Sequence, residues 1–391
     1  MSLIEDVADS FPMDKSVLRE RESERPQCIP MGGTIGILGG GQLGRMAAMA
    51  AAPLGYTVHV YSPEPDTPAA EVSRFHTCAA FDDKTALAAF AKSVDVITCE
   101  MEHVPAQTLK WADAIAPLYP SVCVFEICQN RIAEKTFLNQ IGVDTANWHP
   151  IESFDHVERV YQNEMNAGIL KTAYAGYDGK GQAQLESGLS RKDLEHIWAS
   201  IFGDKDNPGS AILEAIIPFE RELSVIVARN NNGELSVYDV VENIHRDHIL
   251  SVTHAPAAVS KTILKSAQNI AVKIAEALQV QGLLVVEMFL TRDGDVLVNE
   301  LAPRPHNSGH WTIDACFTNQ FEQLIRAICG LPLGCSDRWA NAEMVNLIGD
   351  DVTETSRYLD MTNTKLHLYG KKEVRPGRKM GHATIIKPLT K

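Results

Sequence analysis

Val296-Leu-Val-Asn299-Glu300-Leu-Ala-Pro-Arg304-Pro-His306-Asn307-Ser-Gly-His310 is the stretch of this chain densest in chemistry. An apolar strand delivers Asn299 and Glu300 to its end, and a loop carrying two prolines then presents Arg304, His306, Asn307 and His310. Proline restricts the loop, and acid and amide oxygens attract hard cations, so the run suits a platform that fixes metal ligands and substrate contacts together. It reads as the metal and phosphate end of an ATP site.

Working outward, the apolar run at residues 283–290 should pair with residues 296–300 through the turn Thr291-Arg-Asp-Gly294-Asp, forming a hairpin that sets Glu287 near Glu300. Glu287 lies within Leu-Val-Val-Glu-Met-Phe-Leu, where an unpaired charge would be costly. Two carboxylates with Asn299 beside them suit Mg²⁺, or Mn²⁺ in its place, bridging nucleotide phosphates; a salt-bridged core acid is the competing reading. Upstream, Gly168-Ile-Leu-Lys171-Thr is a short strand, followed by the glycine-dense loop Gly176-Tyr177-Asp178-Gly179-Lys180-Gly181-Gln182. Glycines let such a hairpin close over a triphosphate, and a strand-borne lysine is a point charge suited to its oxygens. A plain surface hairpin would explain the glycines but not Lys171. Glu214 and Glu222 flank a Pro-Phe-Glu turn between two strands, where either could be a solvated edge acid.

Further upstream, Thr34-Ile-Gly-Ile-Leu38 runs into Gly39-Gly-Gly41-Gln42-Leu43-Gly44, then an Ala/Met-rich helix to about Ala52 and a second strand, Thr57-Val-His-Val-Tyr61. Strand, glycine-rich turn, helix and strand open a doubly wound α/β sheet. The turn could bring backbone N–H groups to a phosphate at the positive end of a helix, or be purely structural. A dinucleotide site also wants an acid closing the second strand. Here that strand ends Tyr61-Ser62-Pro63, which favours a phosphate-bearing substrate over NAD. A further strand, Val94-Asp-Val-Ile-Thr98, places Glu100, Glu102 and His103 where such strands present ligands. Helices are expected near residues 84–92, 130–138, 261–278 and 321–329, and the last fifty or so residues form a small unit. Its basic run Lys371-Lys372-Glu-Val-Arg375-Pro-Gly-Arg378 is turned at Pro-Gly, which brings Arg375 and Arg378 together as an anion clamp if it is more than a solvated face.

With 391 residues, 45% hydrophobic and 22% charged, the chain has the composition of a soluble globular protein of two or three units. No apolar run reaches membrane-spanning length. The net charge of -14 argues against a nucleic-acid partner. Eight cysteines show no Cys-x-x-Cys pair and no zinc spacing, and several sit in apolar runs, so buried free thiols in a reducing cytoplasm are expected. Residues 1–33 carry mixed charge and no secretory pattern, and read as an extension outside the core.

Five stretches in this order, Gly39-Gly-Gly-Gln-Leu-Gly-Arg45, Thr98-Cys-Glu-Met-Glu102-His-Val, Gly176-Tyr-Asp-Gly-Lys-Gly-Gln182, Asn299-Glu-Leu-Ala-Pro-Arg-Pro-His-Asn-Ser-Gly-His-Trp311 and Lys372-Glu-Val-Arg-Pro-Gly-Arg-Lys-Met-Gly-His382, resemble the N5-carboxyaminoimidazole ribonucleotide synthetase family of the ATP-grasp superfamily. The resemblance runs from about residue 34 to the C-terminus. It implies an α/β fold of ATP-grasp architecture: a doubly wound pre-ATP-grasp domain at 34–130, a central α+β ATP-grasp domain at 131–330 and a small β-rich C-terminal domain at 331–391. By position it implies that Arg131, Lys171, Gly176, Tyr177, Asp178, Gly179, Lys180, Gly181, Gln182, Glu214, Ala215, Ile216, Ile217, Glu222, His245, Asn299 and Glu300 hold ATP, with Glu287 and Glu300 on Mg²⁺. The aminoimidazole ribonucleotide would meet Gln42, Leu43, Glu102, Tyr177, Asp178, Lys180, His306, Asn307 and His310, its phosphate near Lys371 and Arg378. Lys171, Glu102, His310 and Arg304 are the implied catalytic side chains. The resemblance further implies bicarbonate as co-substrate, phosphorylated by ATP to carboxyphosphate before the exocyclic amine is carboxylated, and a homodimer. The rival readings are another ATP-grasp ligase and a nicotinamide-dependent oxidoreductase.

Overall fold

The computed structural model describes residues 28–174, 181–203 and 210–389. Three sheets organise it. The first is parallel, in the order β3-β2-β1-β4, from β1 (Thr34–Leu38), β2 (Thr57–Ser62), β3 (Phe75–Cys78) and β4 (Val96–Cys99). β1 and β4 are buried almost throughout and mostly apolar, because helices cover both faces, as parallel sheets require. Leu38, Tyr61, Phe90, Ile97 and Phe125 form the core on one side. On the other, Ile35 and Met46 join a cluster that reaches Phe321 and Leu324. Ile29 belongs to that cluster, its N–H donating to the carbonyl of Cys329 and its carbonyl accepting from the Tyr56 hydroxyl. The end of the segment expected to lie outside the core therefore enters it, because one apolar side chain suffices to dock a short tail; residues 1–27 lie outside the described part.

The second sheet, in the order β5-β8-β6-β7, is built from β5 (Trp148–Ile151), β6 (Gly168–Thr172), β7 (Gln182–Leu185) and β8 (Ala211–Glu214). The third has nine strands. It joins β9 (Phe219–Arg229), β10 (Leu235–Val237), β11 (Val241–Arg246), β12 (Ile249–Ala255), β13 (Gly282–Thr291) and β14 (Val296–Ala302) to β15 (Asn341–Ile348), β16 (Thr364–Leu368) and β17 (Lys379–Lys387). Its main path runs β14-β13-β9-β11-β12-β15-β17-β16, so the C-terminal unit is β-rich as expected but continues the central sheet through the β12–β15 pair. The helix Lys261–Ala277 lays Ala267, Ala271 and Ile274 against Val225, Val227, Leu284 and Val286; small residues on its inner face let it approach the strands closely. Glu214 and Glu222, expected on either side of one turn, thus belong to different sheets, with Glu222 inside β9.

None of the eight cysteines is paired. Cys99, Cys316 and Cys329 are buried, but Cys28, Cys78 and Cys335 are exposed, so the expectation of buried thiols holds only for some.

Candidate active site

β13 and β14 form the expected hairpin, and its register puts Glu287 opposite Glu300. A register shift beside this pair leaves Asn299 unmatched, and such a bulge re-aims side chains where the strand ends. Burial raises the Glu287 carboxyl to about 8, and the facing charge of Glu300 adds to the effect. An all-oxygen couple under this strain is what a hard divalent cation relieves, so the residues present fit Mg²⁺. Arg131, at the start of the helix Arg131–Gln140, lies 3.4 Å from Glu300. His306 Nε2 is 3.0 Å from Glu287, and burial holds its imidazole well below the ordinary range, which makes this a hydrogen bond rather than an ion pair.

The loop after β14 is pinned from several sides. The His306 N–H donates to Gln320 Oε1, while Gln320 Nε2 donates to the His306 carbonyl and lies 3.1 Å from His310 Nδ1. Ser224 donates to Ser308 from the neighbouring β9. Arg304 donates through Nε and Nη2 to one Glu102 oxygen at 3.0 and 2.7 Å. Burial opposes the charge on Glu102, but the Arg304 guanidinium holds its carboxyl below the usual range. Asn307 keeps both carboxamide atoms buried without a protein partner, and His310 Nε2 is likewise buried and unpartnered. Buried amides are normally satisfied, so this is where a ligand's polar groups would complete the network.

Among the residues expected to hold ATP, Lys171 Nζ donates to Glu214 Oε2 at 2.6 Å. Despite burial, Lys135 and Lys171 together hold Glu214 down to about 2. Ala215, Ile216 and Ile217 follow in the connection to β9, Ile216 exposed. Glu222 lies 2.5 Å from His245 Nδ1; burial opposes protonation of that histidine, but the carboxylate raises its pKa. Gly181 adopts φ +70 and leads Gln182 into pairing with Lys171. Gly176, Tyr177, Asp178, Gly179 and Lys180 lie outside the described residues.

The glycine turn behaves differently from its phosphate reading. Glu100 reaches under it and accepts from the N–H of Gly41 at 2.7 Å and of Gly44 at 3.3 Å. A Cβ on Gly39 or Gly41 would come within about 2.7 Å of that carboxylate, so the glycines make room for an internal acid where a phosphate was expected. Gln42 and Leu43 open the helix beside it, Leu43 buried. At the C-terminus the Pro-Gly turn forms, the N–H of Arg378 donating to the carbonyl of Arg375. Arg375 pairs with Glu373, and Arg378 donates to the Glu373 carbonyl, so the two arginines share a neighbour rather than standing free. Lys371 donates to the Lys379 carbonyl, and Lys372 reaches Asp66 at 2.9 Å, which ties this segment to the first sheet. The structure thus brings Glu102, Arg304, His306, Asn307 and His310 together, and Glu287, Glu300 and Arg131 beside them. Sequence reading missed Lys135, Gln320 and the capping role of Glu100. A lysine inside Arg-Ile-Ala-Glu-Lys carries no local mark of burial.

A lysine on β6 bonded to a buried carboxylate, a second pair of carboxylates opposed across a hairpin and a doubly wound domain at the N-terminal side are the marks of an ATP-grasp ligase. Family models agree: residues 32–129 match the ribonucleotide synthetase preATP-grasp domain, 136–321 the ATP-grasp domain and 342–390 the phosphoribosylaminoimidazole carboxylase C-terminal domain. The chain belongs to the N5-carboxyaminoimidazole ribonucleotide synthase family. It is 46% identical to the Brucella melitensis N5-carboxyaminoimidazole ribonucleotide synthase over 92% of this chain and 98% of that one. It resembles the Staphylococcus aureus N5-carboxyaminoimidazole synthetase complexed with ADP, with a TM-score of 0.86, 34% identity and coverage of 93% of this chain and 95% of that one. The Aspergillus clavatus enzyme in complex with ADP and 5-aminoimidazole ribonucleotide gives a TM-score of 0.83 and 31% identity, covering 92% and 94%. Among the described residues no helix is long and apolar enough to cross a membrane.

Proposed function

We infer that this ligase uses ATP to carboxylate 5-aminoimidazole ribonucleotide with bicarbonate, giving N5-carboxyaminoimidazole ribonucleotide, ADP and phosphate for purine synthesis. The observation that carries the reading is the loop from Arg304 to His310. Its first residue, Arg304, ties to Glu102 of the first domain, His306 bonds Glu287 of the opposed pair, and the Asn307 carboxamide and His310 Nε2 that follow are buried without a protein partner. A loop so placed spans the gap that a carboxyl group must cross between nucleotide and amine.

In this reading Lys171, Arg131, the connection 214–217, Glu222 and His245 hold the nucleotide. Glu287 and Glu300, with Asn299 adjacent, would hold Mg²⁺. That cation supplies charge neutralisation for phosphoryl transfer. Bicarbonate accepts the γ-phosphoryl group, and the carboxyphosphate or its CO₂ is captured by the exocyclic amine. Arg304, fixed by Glu102, presents positive charge where the carboxylate forms, and His306 and Asn307 orient the imidazole. Burial keeps His310 neutral, and because the Gln320 amide donates to its Nδ1 the unpartnered Nε2 carries the ring proton and can donate to the substrate, while the departing phosphate takes the amine proton. Lys371 and Arg378 receive the ribonucleotide phosphate. The enzyme works in the cytoplasm as a homodimer, and light scattering on the purified protein tests the latter. Phosphate release from ATP should be fastest when bicarbonate and aminoimidazole ribonucleotide are both present; release indifferent to the imidazole would overturn the substrate assignment.

A further inference from the structure

Glu214 is a buried carboxylate flanked by two lysines that are held very differently. Lys171 reaches Oε2 at 2.6 Å from β6 and is the more open of the two, its side chain 11% exposed. Lys135 approaches Oε1 at 3.7 Å, its side chain 2% exposed. Its ammonium is also locked to β14, donating to the carbonyls of Asn299 at 2.7 Å and Val298 at 3.3 Å. The residue before it, Glu134, accepts from the N–H of Leu301 at 2.9 Å, so the first half of one helix clamps the strand that carries Glu300. Lys171 has no such second anchor: among the described residues its bonding partner is Glu214.

Two lysines converge on this one carboxylate in a largely dry site, with Arg131 also near enough to act on it, so a cation is at hand for an incoming polyanion. For Lys171 to reach phosphate oxygens it must loosen its hold on Glu214, and a buried carboxylate left without a lysine beside it is disfavoured. We propose that Lys135 is a positioning residue, a resident counter-ion that keeps Glu214 neutralised so that Lys171 is free to turn from Glu214 onto the nucleotide phosphates. Without Lys135, Glu214 would retain Lys171 and the nucleotide would lose it. The inference rests on the nucleotide reading of the Lys171 site. It goes beyond that reading by giving a role to a side chain with no direct access to ligand.

The test is a double-mutant cycle on the full-length protein, with Lys135→Met, Glu214→Gln and the pair, reading Mg·ADP affinity by calorimetry and the split between KM for ATP and kcat. Absence of Mg·ADP binding to the unmodified protein would defeat the nucleotide reading itself, whatever the variants do. Given that binding, Lys135→Met should weaken ADP and raise KM for ATP by about ten- to a hundredfold, the worth of one charge-assisted contact, with a smaller effect on kcat. In the Glu214→Gln background the same substitution should cost almost nothing, since no charge then competes for Lys171. An equal cost in both backgrounds would show that Lys135 acts only through the β14 carbonyls. No cost in either would show that it has no role, and both results overturn the proposal. If Lys135→Met alone does not fold, recovery of folding in the double variant supports the counter-ion role, and failure of both to fold overturns it.

Discussion

At the scale of single residues the site is a set of groups left incomplete in the protein alone. Glu287, pushed up to about 8 by burial and by Glu300, cannot share its surroundings with a second charge unless a cation enters. Glu300→Gln should therefore abolish turnover, by about a hundredfold or more, while leaving the melting temperature unchanged or raised, because it removes the charge facing Glu287. Retained activity with Mg²⁺ would take Glu300 out of the metal site. Asn307 offers a complementary case: its buried amide already lacks a partner, so Asn307→Ala strands no protein group. It should leave thermal stability nearly unaltered and raise KM for the ribonucleotide about tenfold, and a large loss of melting temperature with unchanged KM would make Asn307 structural. Most of these residue types were legible in the sequence, because an acid in an apolar run or a histidine-rich loop between prolines is locally anomalous. Their partners were not. Glu102 and Arg304 are separated by 202 positions, and no local pattern announces that one is to hold the other.

At the scale of elements, the hairpin of β13 and β14 was readable because alternation, a glycine turn and matched lengths all agree, whereas the bulge that frees Asn299 depends on the neighbouring strand. The helices Ala106–Asp113 and Val122–Gln129 escaped, each only eight residues long. In the second, Val-Cys-Val-Phe-Glu-Ile-Cys is as compatible with a strand as with a helix. The glycine turn was found but its occupant was not, since Glu100 arrives from β4 across the sheet. That arrangement makes a sharp prediction. Gly39 has φ +105, and a Cβ there would meet the Glu100 side chain at 2.7 Å. Gly39→Ala should cost about 1–3 kcal/mol from backbone strain alone, and more from displacing Glu100, measurable as a lower urea midpoint. If the turn were an open anion site, as its sequence suggests, the same change would cost no more than the backbone strain and would also lower ligand affinity.

At the scale of the molecule, the C-terminal strands complete a sheet that the ATP-grasp strands begin, and the joint is lined by histidines. His382 on β17 stacks on His367 of β16 with ring centres 4.5 Å apart, and lies 4.8 Å from the ring of His310 in the active-site loop. His367 bonds Asp314, and Tyr369 bonds His382 Nδ1. Burial, reinforced by the neighbouring histidines, holds His310 and His382 well below their ordinary 6.5. Their unfolded forms take up protons near 6.5 and their folded forms do not, so the stability they contribute is complete above that value and is lost as pH falls below it. Three buried carboxyls work against this: Glu100, Glu134 and Glu287, all raised mainly by burial and the last two to about 8, make the folded state the better proton acceptor from their ordinary 4.5 upward. The profile of the intact protein is thus a partial cancellation, and only a difference between variants isolates the joint. His382→Gln should reduce the stability lost between pH 7.5 and 5.5 by about 1 kcal/mol relative to the unmodified protein, the linkage worth of one histidine over roughly a pH unit below 6.5, read from urea midpoints. Parallel profiles for the two proteins would mean that His382 takes up its proton in the folded state as readily as in the unfolded chain. Once protonated, it would make the active-site loop pack against a charged residue of the C-terminal sheet instead of a neutral one.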